Sequence, residues 1–260
     1  MNVDRGFVTG DDLGLEEQVE TAAMLGYDYV EISMFGADDR QTLAAKTGAV
    51  RDRLIDAGLD CLVHLPFVGI DIGAPHEHVR EGALREIEAY LDIAADFGAR
   101  KAVVHPESGA DDPDDQRRLV TEGIRRPDAY AADRGIVLCA ENMPSHYVAL
   151  DDIDHLLTDT DAMLTIDTGH ARIAGYEATD LAEFLTMHGD RVSHFHLNDT
   201  AGPSDDHLSF GAGTIDFETI FEPLHRADWS GTLSVESKSC QPAYLDLSLQ
   251  QLDVVLDSGR

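Results

Sequence analysis

Short apolar runs alternate with longer segments of helical periodicity along the whole chain. The clearest helix extends from Glu77 to Phe97, where apolar side chains recur every three or four residues until Gly98. The strand pattern is clearest from Met163 to Asp167, a short apolar run that ends in a carboxylate. The predicted strands span 6–9, 27–32, 59–65, 101–106, 136–142, 163–167, 192–196 and 231–236. The predicted helices span 15–25, 43–57, 77–97, 114–134, 152–157, 181–188, 216–227 and 244–256.

The regular alternation of strands and helices predicts an α/β fold with parallel strands and right-handed crossovers. Eight such units in 260 residues fit a closed (β/α)₈ TIM barrel, which typically needs about 250 residues. No linker or low-complexity segment divides the chain, so we expect residues 1–260 to form a single barrel domain. An open, doubly wound sheet is the alternative. It is disfavoured because no glycine-rich fingerprint follows the first strand.

The charge of the chain changes the picture of its surface. There are 50 acidic residues against 19 basic ones, a formal net charge of −31, and the acids are spread along the whole length. Such a surface resembles those of halophilic proteins, and in dilute salt it would repel itself and weaken the fold. The charge also argues against nucleic-acid binding, which needs a basic footprint. That argument loses force in a halophile, where every surface is acidic.

Other sequence features indicate the compartment and the state of the cysteines. The first ten residues lack a basic-then-apolar leader, and no apolar run approaches the roughly 18 residues that span a bilayer. We therefore expect a cytoplasmic protein without a membrane partner. The cysteines, Cys61, Cys139 and Cys240, are odd in number and widely spaced, which indicates buried thiols. A homo-oligomer is compatible with the sequence, which leaves the oligomeric state open.

Seven of the eight predicted strands end in a residue that can bind a metal ion or transfer a proton. In a barrel these ends converge on one mouth, where carboxylates and imidazoles can share a divalent cation. Taken alone, Asp167 could instead cap a helix and leave His170 at the surface, but the recurrence on other strands argues against this. The strand-end residues are Glu31, His64, His105, Glu141, Asp167 with His170, His196 and Glu236. The loop after the seventh strand adds Asp199, Asp205, Asp206 and His207.

Seven motifs surround these residues. They are His64-Leu65-Pro66-Phe67, Val104-His105-Pro106, Glu141-Asn142-Met143-Pro144, Asp167-Thr168-Gly169-His170, His196-Leu197-Asn198-Asp199, the stretch from His207 through Gly211-Ala212-Gly213-Thr214-Ile215-Asp216-Phe217, and Val235-Glu236. Together they resemble the xylose-isomerase-like TIM barrels, a superfamily of sugar-phosphate isomerases and epimerases that also holds endonuclease IV. The resemblance runs from about the second strand to the last, and it is specific for the superfamily rather than for one reaction.

The resemblance to the isomerase and epimerase branch implies a metal-dependent enzyme acting on a small sugar, sugar phosphate or hydroxy-ketone. One divalent ion would polarise the substrate oxygens, and Glu141 and Glu236 would be the catalytic residues that remove and return a proton. Carboxylate ligands suit Mn²⁺, Co²⁺ or Mg²⁺, whereas additional histidines favour Zn²⁺. The implied metal ligands are Glu141, Asp167, His196 and Glu236. The candidate substrate-binding residues are His64, His105, His170, Arg172 and Lys238. Glu31 is expected only to orient other groups.

The resemblance to endonuclease IV implies instead up to three zinc ions and hydrolysis of abasic DNA. Three features favour sugar chemistry: Met143-Pro144 follows Glu141-Asn142, the loops are short, and the stretch after the first strand lacks the endonuclease pattern. However, many epimerases of this superfamily carry a substrate-binding arginine just after the motif that ends in Asp199. This chain has Thr200 there, so substrate binding must differ. A non-catalytic sugar-binding barrel is the third alternative. The positions that match the zinc cluster are His64, His105, Glu141, Asp167, His170, His196, Asp205, His207 and Glu236.

Overall fold

The computed structural model describes residues 1–36, 40–144 and 148–258. Its strands form one parallel eight-stranded sheet in the order β1-β8-β7-β6-β5-β4-β3-β2. The strands are β1 (Asn2–Phe7), β2 (Tyr29–Ser33), β3 (Asp60–His64), β4 (Lys101–Val104), β5 (Val137–Glu141), β6 (Met163–Asp167), β7 (Val192–Leu197) and β8 (Ser230–Val235). The helices are α1 (Leu15–Leu25), α2 (Arg40–Ala57), α3 (Glu77–Phe97), α4 (Pro113–Ala132), α5 (Asp154–Asp159), α6 (Thr168–Ile173), α7 (Ala178–His188), α8 (Phe217–Arg226) and α9 (Pro242–Ser258).

Backbone hydrogen bonds between β1 and β2 close the sheet on itself. The Thr9 N–H donates to the Glu31 carbonyl at 2.9 Å, and the Asp28 N–H donates to the Arg5 carbonyl at 2.8 Å. The molecule is therefore a (β/α)₈ TIM barrel, and the prediction of a closed barrel over an open sheet is confirmed. The carboxyl ends of all eight strands open at one end of this barrel, which we call the mouth.

The apolar periodicity read from the sequence corresponds to the buried faces of the helices. In α3, the side chains of Ile87, Leu91 and Ala94 are fully buried and pack into the core between the helices and the barrel. The helix ends at Gly98, whose φ of 83° turns the chain so that the Ala99 N–H donates to the Ala94 carbonyl at 2.9 Å. The three cysteines are free and buried, as expected. No helix in the described ranges combines the length and apolar character that a membrane span requires.

The first strand begins at Asn2 rather than at Gly6, so its predicted boundaries are wrong. Asn2, Asp4 and Arg5 are polar, and the apolar pattern therefore gave no strand signal. Their backbone nevertheless pairs with β8, and the guanidinium of Arg5 contacts Asp28 at 3.2 Å and Asp253 at 2.5 Å. A polar strand start is stable here because the charged group finds carboxylates at the end of the barrel opposite the mouth.

Candidate active site

Four predicted metal ligands meet at the base of the mouth. Glu141 and Asp167 are the last residues of β5 and β6, His196 is the next-to-last residue of β7, and Glu236 follows β8. One ligand atom from each residue lies within 4.8 Å of those of the other three. Because alternate strand residues point to the same side of the sheet, these positions all project into the barrel interior. The structure thus brings the four residues into one buried cluster.

Glu141 lies at the centre of four imidazoles. Its Oε2 atom is 3.1 Å from His105 Nε2 and 3.4 Å from His64 Nε2. Its Oε1 atom is 3.2 Å from His196 Nδ1 and 3.3 Å from His170 Nδ1. His64, His105 and Glu141 form a second group of potential ligands whose atoms also lie within 4.8 Å of one another. Glu141 is therefore the residue that the two groups share.

Asp167 serves two purposes at the end of β6. The side chain of Asn142 holds it in place, accepting from the Asp167 N–H at 2.8 Å and donating to its carbonyl at 3.1 Å. Asp167 Oδ1 accepts from the His170 N–H at 2.6 Å and so caps α6, a short helix that the periodicity did not predict. The Oδ2 atom remains directed to the site. The helix-cap interpretation is thus correct for one oxygen, whereas His170 is buried rather than at the surface.

The loop after β7 brings a further pair of potential ligands to the rim of the mouth. His207 Nε2 lies 3.0 Å from Asp205 Oδ1, which also accepts from the Asn198 side chain at 2.9 Å. His207 has a φ of 46°, a left-handed conformation that is uncommon outside glycine. The buried carboxylate of Asp199 anchors the loop through backbone N–H groups. These contacts hold the pair beside the cluster.

A cavity of about 570 Å³ opens above these residues. This volume is in the range of sites for small molecules, typically about 300–1,000 Å³. One side of it is apolar, with the rings of Phe35 and Phe67 in edge-to-face contact at 4.6 Å. These rings pack against the imidazoles of the site, with Phe67 stacked on His105 at 4.2 Å and Phe35 edge-to-face with His64 at 5.1 Å. The lining residues are Phe35, His64, Phe67, His105, Glu107, Glu141, Met143, Pro144, His170, Ile173, Pro203, Ser204, Asp205, His207 and Glu236.

Of the two cationic candidates for substrate binding, Arg172 lies away from the cavity, and Lys238 lies next to Asp205 at its rim. Arg172 pairs with Glu177 and lines a separate hollow of about 70 Å³. Lys238 is exposed, and its Nζ donates to the Asp205 carbonyl at 3.3 Å. Within the described ranges, neither side chain is among those that line the cavity. Sequence distance from the strand ends did not predict this because the direction of each side chain depends on its local partner.

Buried charges in the cluster shift the pKa values of its two glutamates in opposite directions. Burial works against the ionised form of Glu141, yet His196 and His105 hold its pKa well below the usual range. Burial raises the pKa of Glu236 to about 8, with the charges of Asp167 and Glu141 acting in the same direction and His196 against it. Carboxylates whose pKa values are pushed apart are typical of acid–base sites.

The donor set fits a divalent metal ion. Glu141 Oε2, Asp167 Oδ2 and Glu236 Oε2 are buried without an aligned hydrogen bond from any described residue. Buried carboxylate oxygens are costly unless they are paired or bind a cation. Three such oxygens with one imidazole nitrogen match the ligands that Mn²⁺, Co²⁺, Mg²⁺ and Zn²⁺ accept. Glu141, Asp167, His196 and Glu236 are therefore the residues that would hold the ion.

Polar residues of the barrel interior below the cluster escaped the sequence reasoning, and His194 is the one nearest to the metal-ligand residues. His194 is fully buried below His196, and its Nε2 atom is 3.0 Å from Glu31 Oε2. The signal was the His-x-His spacing in β7, which puts both rings on the same side of the strand. The prediction that Glu31 ends its strand is wrong, because β2 continues to Ser33.

The chain belongs to the family of xylose isomerase-like TIM barrels, whose model matches residues 19–253. A putative L-ribulose-5-phosphate 3-epimerase of Escherichia coli is 26% identical over 243 residues, 86% of this chain and 84% of that protein. A probable endonuclease 4 of Mycobacterium marinum is 27% identical over 234 residues, covering 84% and 89%. The crystal structure of a D-tagatose 3-epimerase-like protein matches with a TM-score of 0.81 and 23% identity, covering 99% and 100%. The resemblance seen in the motifs is thus confirmed for the family, whose members differ in reaction.

Proposed function

We propose that this xylose isomerase-like barrel is a metal-dependent epimerase or isomerase of small sugars, with Glu141 and Glu236 as its proton-transfer pair. The observation that carries the proposal is the cluster of Glu141, Asp167, His196 and Glu236 at the base of a cavity of sugar size. Two Escherichia coli relatives, one named as a putative L-ribulose-5-phosphate 3-epimerase and one as an L-ribulose-5-phosphate 3-epimerase, support the epimerase reaction class.

The chemistry follows from the placement of the two glutamates. A divalent ion bound by the cluster would polarise the carbonyl and hydroxyl oxygens of a ketose and acidify the adjacent C–H. Glu141 and Glu236 come from β5 and β8, which β6 and β7 separate in the sheet. They can therefore reach a substrate from different sides. One carboxylate would accept the proton from carbon, and the other would return a proton to the same or the neighbouring carbon.

The cavity lining favours a neutral sugar over a sugar phosphate. Phe35, Phe67, Met143 and Ile173 offer an apolar side for the carbon face of a sugar, while imidazoles and carboxylates can bind its hydroxyl groups. Phosphate recognition commonly uses arginine or lysine, and the described part of the lining contains neither. We therefore propose an unphosphorylated ketose or hydroxy-ketone as the substrate class.

The test is hydrogen exchange into substrate in D₂O. Metal-loaded protein in molar KCl would be incubated with a panel of ketoses and their phosphates, and deuterium at the carbon beside the carbonyl would be followed by NMR. We expect exchange with at least one free ketose. Glu141→Gln and Glu236→Gln should each reduce the rate by about 10²–10⁴-fold, because the amide keeps the shape but cannot act as a base.

A matched control and a contrary result make the test decisive. Glu183→Gln makes the same change at an exposed position of α7 and should leave the exchange rate unchanged. Circular dichroism would show that all variants fold. Exchange that survives in both cluster variants would contradict the assigned roles of Glu141 and Glu236. Exchange only with sugar phosphates would contradict the substrate class.

A second candidate function is endonuclease IV-like hydrolysis of abasic DNA. The specific observation in its favour is the second ligand group, His64, His105 and Glu141, together with the Asp205–His207 pair. Phosphodiester hydrolysis can use several ions to form hydroxide and stabilise the leaving oxygen. Nicking of an abasic duplex in high salt, lost in His64→Gln and absent with intact DNA, would replace the first proposal if no ketose exchanged. Sugar binding without exchange or nicking would instead favour a non-catalytic barrel.

A further inference from the structure

Below the metal-ligand cluster, the barrel interior contains a connected column of polar side chains. Glu31 lies between two imidazoles, with Oε1 3.0 Å from His196 Nε2 and Oε2 3.0 Å from His194 Nε2. The Ser234 hydroxyl donates to Glu31 Oε2 at 2.6 Å and lies 2.8 Å from the Tyr29 hydroxyl. All five side chains belong to residues that are 0% exposed. This carboxylate is therefore held from several directions in a place where water cannot rearrange it.

The column continues away from the mouth through side chains of three strands. His194 Nδ1 lies 2.7 Å from Thr232 Oγ1, and the ammonium group of Lys101 donates to this same oxygen at 2.9 Å. Lys101 Nζ also donates to the Ser193 carbonyl at 2.5 Å. A network whose members are all hydrogen-bonded is rigid, whereas one unpaired member would be costly. Glu31 is thus held by contacts on the side away from the mouth as well as by His196 on the side of the metal-ligand cluster.

We propose that Glu31 is a positioning residue that holds the His196 ring with its Nδ1 atom directed at the metal ion. The inference rests on the proposed metal-dependent function. His196 Nδ1 lies 3.2 Å from Glu141 Oε1 and 3.3 Å from Glu236 Oε2, so this nitrogen faces the ligand cluster. Nδ1 can donate a lone pair to a metal only if the ring proton is on Nε2. Glu31 Oε1 supplies the acceptor for that proton.

The carboxylate should act in two ways on the ligand. It fixes the orientation and tautomer of the ring, and its charge makes the opposite nitrogen more basic. Alternatively, Glu31, His194 and His196 could bind a second ion directly, deeper in the barrel. Their ligand atoms also lie within 4.8 Å of one another. Ser234 and His194 already occupy Glu31 Oε2, and the group is sealed from solvent. The geometry therefore favours hydrogen bonding over direct coordination, and metal stoichiometry distinguishes the two.

The experiment compares metal affinity in wild-type protein, Glu31→Gln and the control Tyr27→Phe. Each would be titrated with Zn²⁺ against a chromophoric chelator in molar KCl. Glutamine keeps the shape and one acceptor but removes the charge, so we expect affinity to fall by about 10- to 100-fold with unchanged stoichiometry. Tyr27→Phe removes a buried hydroxyl that lies outside this column and donates to the Leu245 carbonyl, and it should leave the affinity unchanged.

A measurement on the wild type keeps the inference testable if Glu31→Gln does not fold. In Zn²⁺-loaded protein with ¹⁵N-labelled histidine, NMR should show the His196 ring with metal on Nδ1 and a slowly exchanging proton on Nε2. His196→Gln would identify its signals by their loss. Metal on Nε2 would overturn the inference.

The titration outcomes separate this inference from the proposed function. If wild-type protein binds no divalent ion, the proposed function fails and the inference fails with it. If wild type binds and Glu31→Gln binds equally well, only the positioning role is wrong. Loss of one whole equivalent in Glu31→Gln would show that Glu31 is itself a ligand. A fall in affinity in Tyr27→Phe equal to that in Glu31→Gln would show a general packing effect. Either result would also overturn the inference.

Discussion

Replacement of Asp199 by Asn tests whether one buried carboxylate holds the loop that carries Asp205 and His207. Asp199 is 1% exposed and accepts four backbone hydrogen bonds. Its Oδ2 atom accepts from Gly211 at 3.0 Å and Gly213 at 2.8 Å. Its Oδ1 atom accepts from Thr200 at 2.9 Å and, more weakly, from Ile215 at 3.4 Å. The loop thus closes around a single charge.

The expected cost follows from counting these donors. Whichever way the Asn side chain turns, its NH₂ group faces two N–H donors and accepts from neither. Hydrogen bonds to charged groups contribute about 1.5–3 kcal/mol each, so two lost bonds give about 3–6 kcal/mol. The amide should turn its NH₂ group toward the side with the longer 3.4 Å bond. We therefore expect a decrease of about 3 kcal/mol in the free energy of unfolding, the lower end of this range.

Urea denaturation at a fixed, molar KCl concentration would measure this change without altering the screening of surface charge. Asp190→Asn makes the same chemical change at an exposed position and should have little effect. A second expected result is a weaker His207–Asp205 pair, visible as a change in the NMR signals of His207. A loss of stability below about 1 kcal/mol would refute the reasoning, since buried N–H groups without acceptors cost at least that much.

Two further predictions concern the metal and the salt. His196→Ala should weaken binding of a divalent ion by about tenfold or more, because a ligand is removed from the cluster. Elemental analysis of wild-type protein that finds no divalent metal after loading and desalting would contradict the cluster assignment. The melting temperature should rise steeply with KCl into the molar range, because the net charge is −31 and the Debye length falls to about 3 Å at 1 M. A melting temperature that is flat or falls with KCl would contradict the halophilic interpretation.

The sequence by itself determined the fold and the list of candidate ligands. Periodicity gave α1, α3 and β6 at the bounds that the structure shows. Their apolar side chains are buried by the same short-range geometry that makes a helix or strand amphipathic, so a local pattern suffices. Parallel topology then required the strand ends to meet at one mouth. Residues at the strand ends, such as Glu141 and His196, could therefore be assigned to one site from the sequence alone.

Only the tertiary structure decided which of these side chains touch. Glu31 and His194 are 163 positions apart and meet only because the barrel closes with a particular stagger between its strands. The same local signal, a charged residue shortly after a strand end, gave different outcomes for Glu236, which enters the cluster, and Arg172, which turns to Glu177. Glu236 meets ligands from three other strands, whereas Arg172 turns to a partner only five positions along the chain, so the shared local signal does not give the direction of a side chain. The physical reason is that no local pattern encodes the register of strands that are remote in the chain.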